Sequence, residues 1–225
     1  MIHAWPYDSA LAAMHAARDR VSAGGAQTIF VGSHQEEVVT LGRHTPESQL
    51  LARAALDARG VLVRRVERGG GATAHGPGQI VCYPVVHLPT CGLDVPGLTR
   101  ALLESAREVA REHGVDATVE LAGTSGLYVG GAKVASVGFR VERGVVTHGL
   151  ALNVDNDVSL FDLIAPCGVR NQRITTLARE AHGSVRVDDV GHRLGFHVAR
   201  RCMLAWAVTQ LTGGAVGLVG TGAHA

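Results

Sequence analysis

Between Thr118 and Val154 four apolar, β-branched stretches follow one another closely: TVELA, GLYV, AKVASVGFRVE and VVTHGLALNV, with Gly130-Gly131 and Arg143-Gly144 at two of the joints. Glycine at such joints supplies the positive φ that tight hairpin turns demand. Connections this short join antiparallel neighbours, because a parallel pair needs a crossover of about a dozen residues or more. An antiparallel meander is therefore the piece to which the rest of the chain must conform.

Upstream, Leu11, Met14 and Val21 lie near helical spacing after Ser9, a candidate N-cap, and Gly24-Gly25 closes that first helix. QTIFVG, EEVVTLGR and VLVRRVE predict strands, with a helix around SQLLARAALDARG before the third. QIVCYPVVHL is apolar enough for a buried strand, and PGLTRALLESAREVAREHG places Leu98, Leu102 and Val109 on one helical face. From Asp188, the steps Val190, Leu194, Val198, Cys202 and Ala205 predict a long last helix. Strands come in runs with helices between them, so the fold class is α+β: a mixed, largely antiparallel β-sheet flanked by helices. With 225 residues, 46% of them hydrophobic, the chain fills one domain, expected over 1–212, and the glycine-rich 213–225 reads as a loose tail.

Twenty-one basic and twenty acidic side chains leave a formal charge of +1, which gives no global field to draw nucleic acid or an anionic membrane. No uncharged apolar run approaches the ~18 residues of a spanning helix, and the expected location is the cytoplasm. Cys82, Cys91, Cys167 and Cys202 form no CxxC pair, so reduced thiols are expected.

Chemistry concentrates in three places. In RGGGATAHGPGQ, Arg68 to Gln79, the glycines let a ligand approach bare backbone or simply turn one strand into the next. No GK[ST] follows, and a strand rather than a helix comes next, so this is neither a Walker loop nor a dinucleotide fingerprint. In GGAKVASVGFRVE, simple alternation sets Lys133 with the apolar row Ala135, Val137, Phe139 and Val141. A lysine on an inward face has a depressed pKa, has a specific acidic neighbour, or snorkels to water from the strand end. In LIAPCGVRNQ, Cys167 sits between proline and glycine in a segment without periodicity, where a thiol is accessible; Lys133 is a candidate cation to favour its thiolate. Cys82 and Cys202 read as buried apolar side chains, and Pro89 between His87 and Cys91 argues against a metal pair there.

Taken in order, RGGGATAHGPGQIVCYPV, GAKVASVG, HGLALNV and APCG resemble the octanoyltransferase family that makes protein-bound lipoate, over roughly residues 8 to 205. The resemblance implies the fold shared by lipoate and biotin protein ligases, a mixed sheet flanked by helices. It implies that Cys167 accepts the acyl group and that Lys133 activates it. It also implies an acyl pocket lined by Arg68, Gly69, Gly70, Gly71, Ala72, Thr73, Ala74 and His75, by Ser136, Val137 and Gly138, and by Gly149, Leu150 and Ala151. The donor would be octanoyl-acyl-carrier-protein and the acceptor a lysine of a lipoyl domain, with no cofactor or metal required. Arg64, Arg65, Arg140, Arg143, Arg170 and Arg173 are candidates for docking those acidic partners.

Two departures stand out. Ala74 replaces the tyrosine that usually precedes the histidine, which bears on acyl-chain length through the shape of the pocket. SHQEE stands where the family has an EHPP-type segment. GGGATAH also resembles the ATP-dependent ligases, but HGPGQ and APCG point away from them. A non-catalytic relative that only binds carrier domains is the other alternative.

Overall fold

The computed structural model describes residues 3–212, with side chains as far as Cys202. The expectations for 213–225 and for the side chain of Ala205 lie outside the described residues. The chain begins with β1 (His3–Trp5), α1 (Tyr7–Ser22), β2 (Thr28–His34) and β3 (Val38–Leu41), then α2 (Arg53–Ala58), β4 (Leu62–Arg65), β5 (Ala72–His75) and β6 (Gln79–Val85). α3 (Leu88–Cys91) and α4 (Val95–Glu112) precede β7 (Thr118–Glu120), β8 (Gly126–Val129), β9 (Ala132–Glu142) and β10 (Val145–Asn153). A 3-10 turn (Ser159–Leu163) and α5 (Leu177–Glu180) lead into α6 (Val187–Thr212).

The meander forms as the sequence predicts, and it supplies four strands of a seven-stranded sheet in the order β1-β2-β6-β10-β9-β8-β7. Only β1 and β2 run parallel; the other neighbours are antiparallel. The fold class is α+β, as expected. What periodicity did not show is a second sheet, β4-β3-β5, which takes four residues out of the glycine-rich loop and pairs them antiparallel with β3. Gly70 and Gly78, both at positive φ, turn the chain before and after that short strand.

Alternation along the strands divides the core. On one face of the large sheet Ile80, Cys82, Leu127, Val134, Ala135, Leu150 and Leu152 pack against α4 and α6. On the other, Val81, Tyr83, Val85, Val145 and Ala151 pack against Ala10, Met14, Ala17 and Val21 of α1. The small sheet buries Val39, Leu41, Ala72 and Ala74 against Leu56, Leu160, Phe161 and Ile164. Its opposite face carries Thr40, Thr73 and His75, which are cross-strand neighbours of β3 and β5 by register. That polar face is turned toward the α1 side of the large sheet, and the site lies between them.

Two boundaries differ from the sequence reading. α1 starts at Tyr7, before Ser9, because Pro6 presets the entry and the Tyr7 amide finds its acceptor in Glu36 Oε1 at 2.7 Å, so no serine cap is needed. The helix expected over 48–60 contracts to Arg53–Ala58, because the amides of Leu51 and Ala52 donate to the Leu163 carbonyl instead of entering a helical ladder. Leu102 on α4 is fully buried in the largest core cluster, so Leu102→Ala is expected to cost about 2–5 kcal/mol of stability in urea unfolding. A loss under half a kcal/mol would contradict the packing described.

Candidate active site

Cys167 is held by two stitches of backbone. On its N-terminal side Pro166 bridges Ala72 of β5, and the Cys167 amide donates to the Ala72 carbonyl at 3.1 Å. On its C-terminal side Ile174 bridges Lys133 of β9: the Lys133 amide donates to Arg173 O at 2.8 Å and the Thr175 amide to Lys133 O at 3.0 Å. Gln49 tightens the first stitch by accepting the Ala72 amide on Oε1 at 2.7 Å and the Ala165 amide on its own carbonyl at 2.7 Å. Cys167 and Asn171 take positive φ, and Gly168 follows suit, so the chain doubles back at the thiol instead of running on as a strand.

Glycine at 71 is a steric requirement of this arrangement. A Cβ there would stand 2.7 Å from the Cys167 Cα and 2.6 Å from Gln49 Oε1.

A cavity opens beside Cys167. Of the residues that the sequence points to, Arg68, Gly70, Thr73, His75, Ser136, Val137, Gly138, Gly149, Leu150 and Ala151 line it together with the cysteine. Gly69 and Gly71 sit in the same loop without lining it. Ala72 and Ala74 face the other side of β5, into the small sheet's core. The ring missing at Ala74 therefore does not enlarge the space beside the thiol; Ala74 borders a separate cavity of about 330 Å³ with Leu160 and Phe161.

Three further residues line the cavity: Tyr7 and Tyr83, which sequence reasoning missed, and His148, which lies within the HGLALNV motif. Tyr7 comes from the first turn of α1, a long way off in sequence. Tyr83 follows from the alternation of β6, on the face of Val81 and Val85. His148 breaks alternation. Counting on from the Leu150–Cys82 pair sets it opposite Pro84, which has no N–H to hold a ladder bond. His148 takes φ 61°, and its amide turns to Met14 Sδ at 3.0 Å.

Lys133 illustrates the limit of simple parity. A bulge leaves Val134 unpaired: Leu127 opposes Ala135, and the next residue, Tyr128, opposes Lys133. Lys133 thereby leaves the apolar row and joins the face of Ser136 and Gly138. Its stem runs over Gly126, the partner of Ser136, and Nζ donates to Thr124 O at 3.2 Å, 5.5 Å from the centre of the Tyr128 ring. Lys133 is buried, without an ion pair among the described residues, and is not among the residues lining the cavity.

The electrostatics of the site are set by Arg68. It is 7% exposed, and no carboxylate pairs with it among the described residues. Nη1 donates to the carbonyls of Gly69 (3.0 Å) and Gly71 (2.9 Å), and Nη2 to Thr40 O (2.8 Å) and Oγ1 (2.7 Å). Burial pulls its pKa down, but a guanidinium stays charged.

Around it the histidines are neutral. Burial first, with Arg68 contributing, pushes His75 and His148 down to about 3, and burial pushes His34 down to about 4. His75 Nδ1 meets Gln79 Oε1 at 2.7 Å, while Gln79 Nε2 donates to Ala74 O and Asn153 Oδ1. That pattern makes Nδ1 the protonated nitrogen and leaves Nε2 an acceptor. With a pKa near 3 it is too weak a base to gather a proton at neutral pH. Tyr7 is pushed up to about 12 by burial and stays a neutral donor.

Of the arginines considered for docking, Arg64 pairs with Asp8, Arg65 lies 3.9 Å from Glu47, and Arg140 pairs with Glu67 and Glu142. Arg143, Arg170 and Arg173 form no ion pair among the described residues, and the last two follow Cys167 in the exposed part of its loop.

Residues 6–199 match the model of the lipoyl protein ligase A/B catalytic domain. The chain belongs to that family. An octanoyltransferase of Roseiflexus sp. (strain RS-1) is 38% identical over 88% of this chain and 83% of its own length. One from Chloroflexus aurantiacus is 39% identical over 85% and 84%. Among solved structures, lipoate-protein ligase A bound with ATP superposes with a TM-score of 0.71 over 90% of this chain and 84% of its own, at 16% identity, which establishes a shared fold. The protein is an acyltransferase of this family, acting in lipoylation.

Two outcomes follow from the site. A Cβ on Gly126 would stand 2.3 Å from Lys133 Cε and 2.7 Å from the Ala135 carbonyl oxygen, so Gly126→Ala is expected to dislodge Lys133 and to cost about 1–3 kcal/mol in urea unfolding. An unchanged midpoint would contradict the close approach.

The three depressed histidines make the unfolded chain bind protons first as the pH drops below about 6.5, so stability rises with pH across the window from about 4 to 6.5. Unfolding free energies measured through that window should fall on acidification, and His34→Gln should flatten the slope; an identical slope in the variant would show that His34 does not titrate as described.

Proposed function

We propose that the protein moves an octanoyl group from an acyl-carrier protein to the lysine amine of a lipoyl domain through a thioester on Cys167. The observation that carries the reading is the placement of the thiols. Cys167 lines the cavity, whereas Cys82, Cys91 and Cys202 are buried in the apolar core with their thiols pushed up by burial, Cys202 to about 11. A solved relative of the same fold is described as a bipartite lipoate protein ligase of Thermoplasma acidophilum with its E2 lipoyl domain, which supports a lipoyl domain as acceptor.

The chemistry balances without an external energy source. The Cys167 thiolate attacks the donor carbonyl, the new S–C bond forms, the old one breaks, and the carrier leaves as a thiolate that takes up a proton. The lysine amine then attacks the acyl-enzyme, loses a proton and releases Cys167, turning a thioester into a more stable amide. Lys133 is the group proposed to favour the thiolate and to accept the amine's proton. The unpaired thiols suit a reducing compartment, which supports the cytoplasm as the place of the reaction.

Incubation with octanoyl-acyl-carrier-protein in the absence of ATP should add one octanoyl group to the intact mass. The adduct should vanish in Cys167→Ala and form at least about a hundredfold more slowly in Lys133→Ala. No adduct, with modification appearing only when ATP and free octanoate are supplied, would turn the assignment to a ligase; binding of carrier domains without either would leave a non-catalytic protein.

A further inference from the structure

We propose that the backbone amides of Gly70 and Gly71 receive the thioester oxygen as it becomes an oxyanion, and that Arg68 is the positioning residue that aims them and supplies the fixed charge behind them. The proposal rests on the acyl-transfer reading and goes beyond it, since nothing in that reading chooses the donors.

The choice comes from peptide geometry. In a trans peptide the C=O and the following N–H point in opposite directions. The Gly69 carbonyl accepts from Arg68 Nη1, so the Gly70 N–H is turned away from the guanidinium. The Gly70 carbonyl accepts from Thr45 Oγ1 at 3.1 Å and lies against Gly42, at the end of β3, so the Gly71 N–H is turned away from that strand. The Gly71 carbonyl again accepts from Nη1, and the Ala72 N–H on its far side runs to Gln49 Oε1, as the same rule requires.

Neighbouring donors are committed. Gly69 N donates to Phe139 O, Cys167 N to Ala72 O, Gly168 N to Ala165 O and Val169 N to Pro166 O. Among the described residues, no acceptor takes the amide of Gly70 or Gly71. Gly70 lines the cavity with Cys167, and the Cα of Gly71 lies against the Cys167 backbone, so a carbonyl bonded to Sγ arrives beside both donors. Until it does, both groups are open enough to be hydrated by water.

Arg68 explains why the loop keeps this shape. One guanidinium nitrogen draws two carbonyls of the loop inward, the other ties it to Thr40, and Nε is buried without a partner among the described residues. A buried cation with no carboxylate is costly unless the reaction brings a negative charge to it. The oxyanion is such a charge, formed beside the two uncommitted amides.

The test separates oxyanion stabilisation from thiol reactivity and from folding. Acylation of Cys167 by an octanoyl thioester passes through an oxyanion; alkylation by iodoacetamide, a displacement at saturated carbon, does not. In Arg68→Gln the acylation rate should fall by about 10²–10³-fold while alkylation changes by about threefold or less. Both rates falling together, or neither, overturns the proposal.

Should that variant fail to fold, a semisynthetic protein carrying glycolate in place of Gly71 removes a single N–H and leaves Arg68 intact. The same split is expected there, and full acylation would remove Gly71 from the role. A wild-type protein that forms no octanoyl adduct fails at the earlier reading, whereas a wild-type adduct with unsplit variant rates fails at this proposal alone.

Discussion

The site depends on a single segment of chain being sewn to both sheets at once. Pro166 pairs with β5 of the small sheet and Ile174 with β9 of the large one. Cys167 lies one residue past the first stitch, and Lys133 is itself the anchor of the second. The two sheets share no continuous ladder, so their separation near the thiol is set largely by the residues between these stitches and by Gln49 across the first of them. This accounts for bare backbone where the strands approach. Gly71 has no room for a side chain beside Cys167, and Gly149 none beside the Cys82 carbonyl, 2.2 Å from where its Cβ would be.

Most of the architecture was legible in the sequence. The meander, the buried strand of β6, the amphipathic α4 and the stripe of α6 are long, periodic segments in which local preference and burial agree. Reading failed where a non-local partner overrules local pattern. Ser9 is a good cap in isolation, but Glu36 satisfies the helix start. SQLLARAALDARG has helical residues, but the Leu163 carbonyl takes the amides that would begin the helix. β5 is four residues long and exists only because β3 is beside it.

At the site, the signal for Cys167 and the glycine loop lay in residue types, which sequence displays. The missed residues, Tyr7 and Tyr83, are ordinary tyrosines whose role comes from where α1 and β6 meet. His148 turns on a missing ladder bond at Pro84, a fact about the opposite strand. Lys133 is instructive in the other direction: strict alternation pointed it into the core, and one unpaired residue, Val134, returned it to the face that carries Ser136 and Gly138. A bulge of a single residue inverts every parity argument that crosses it.

The charges complete the account. The chain as a whole carries a formal +1, yet Arg68 at the cavity and Lys133 on the neighbouring strand face lie buried without a carboxylate partner among the described residues, so the positive field is local and offset elsewhere on the surface. The histidines around Arg68 stay neutral chiefly because they are buried, which keeps them from adding to that field and from holding an anion themselves. Lysine could supply the same charge at position 68 but not the same shape. A guanidinium reaches two loop carbonyls with one nitrogen and the Thr40 carbonyl and hydroxyl with the other, and it cannot relieve its burial by losing a proton as an amine can. A cation that is both permanent and forked fixes the loop's peptide planes and the sign of the potential in one step. The glycines then contribute the absence of any side chain between those planes and the space beside Cys167.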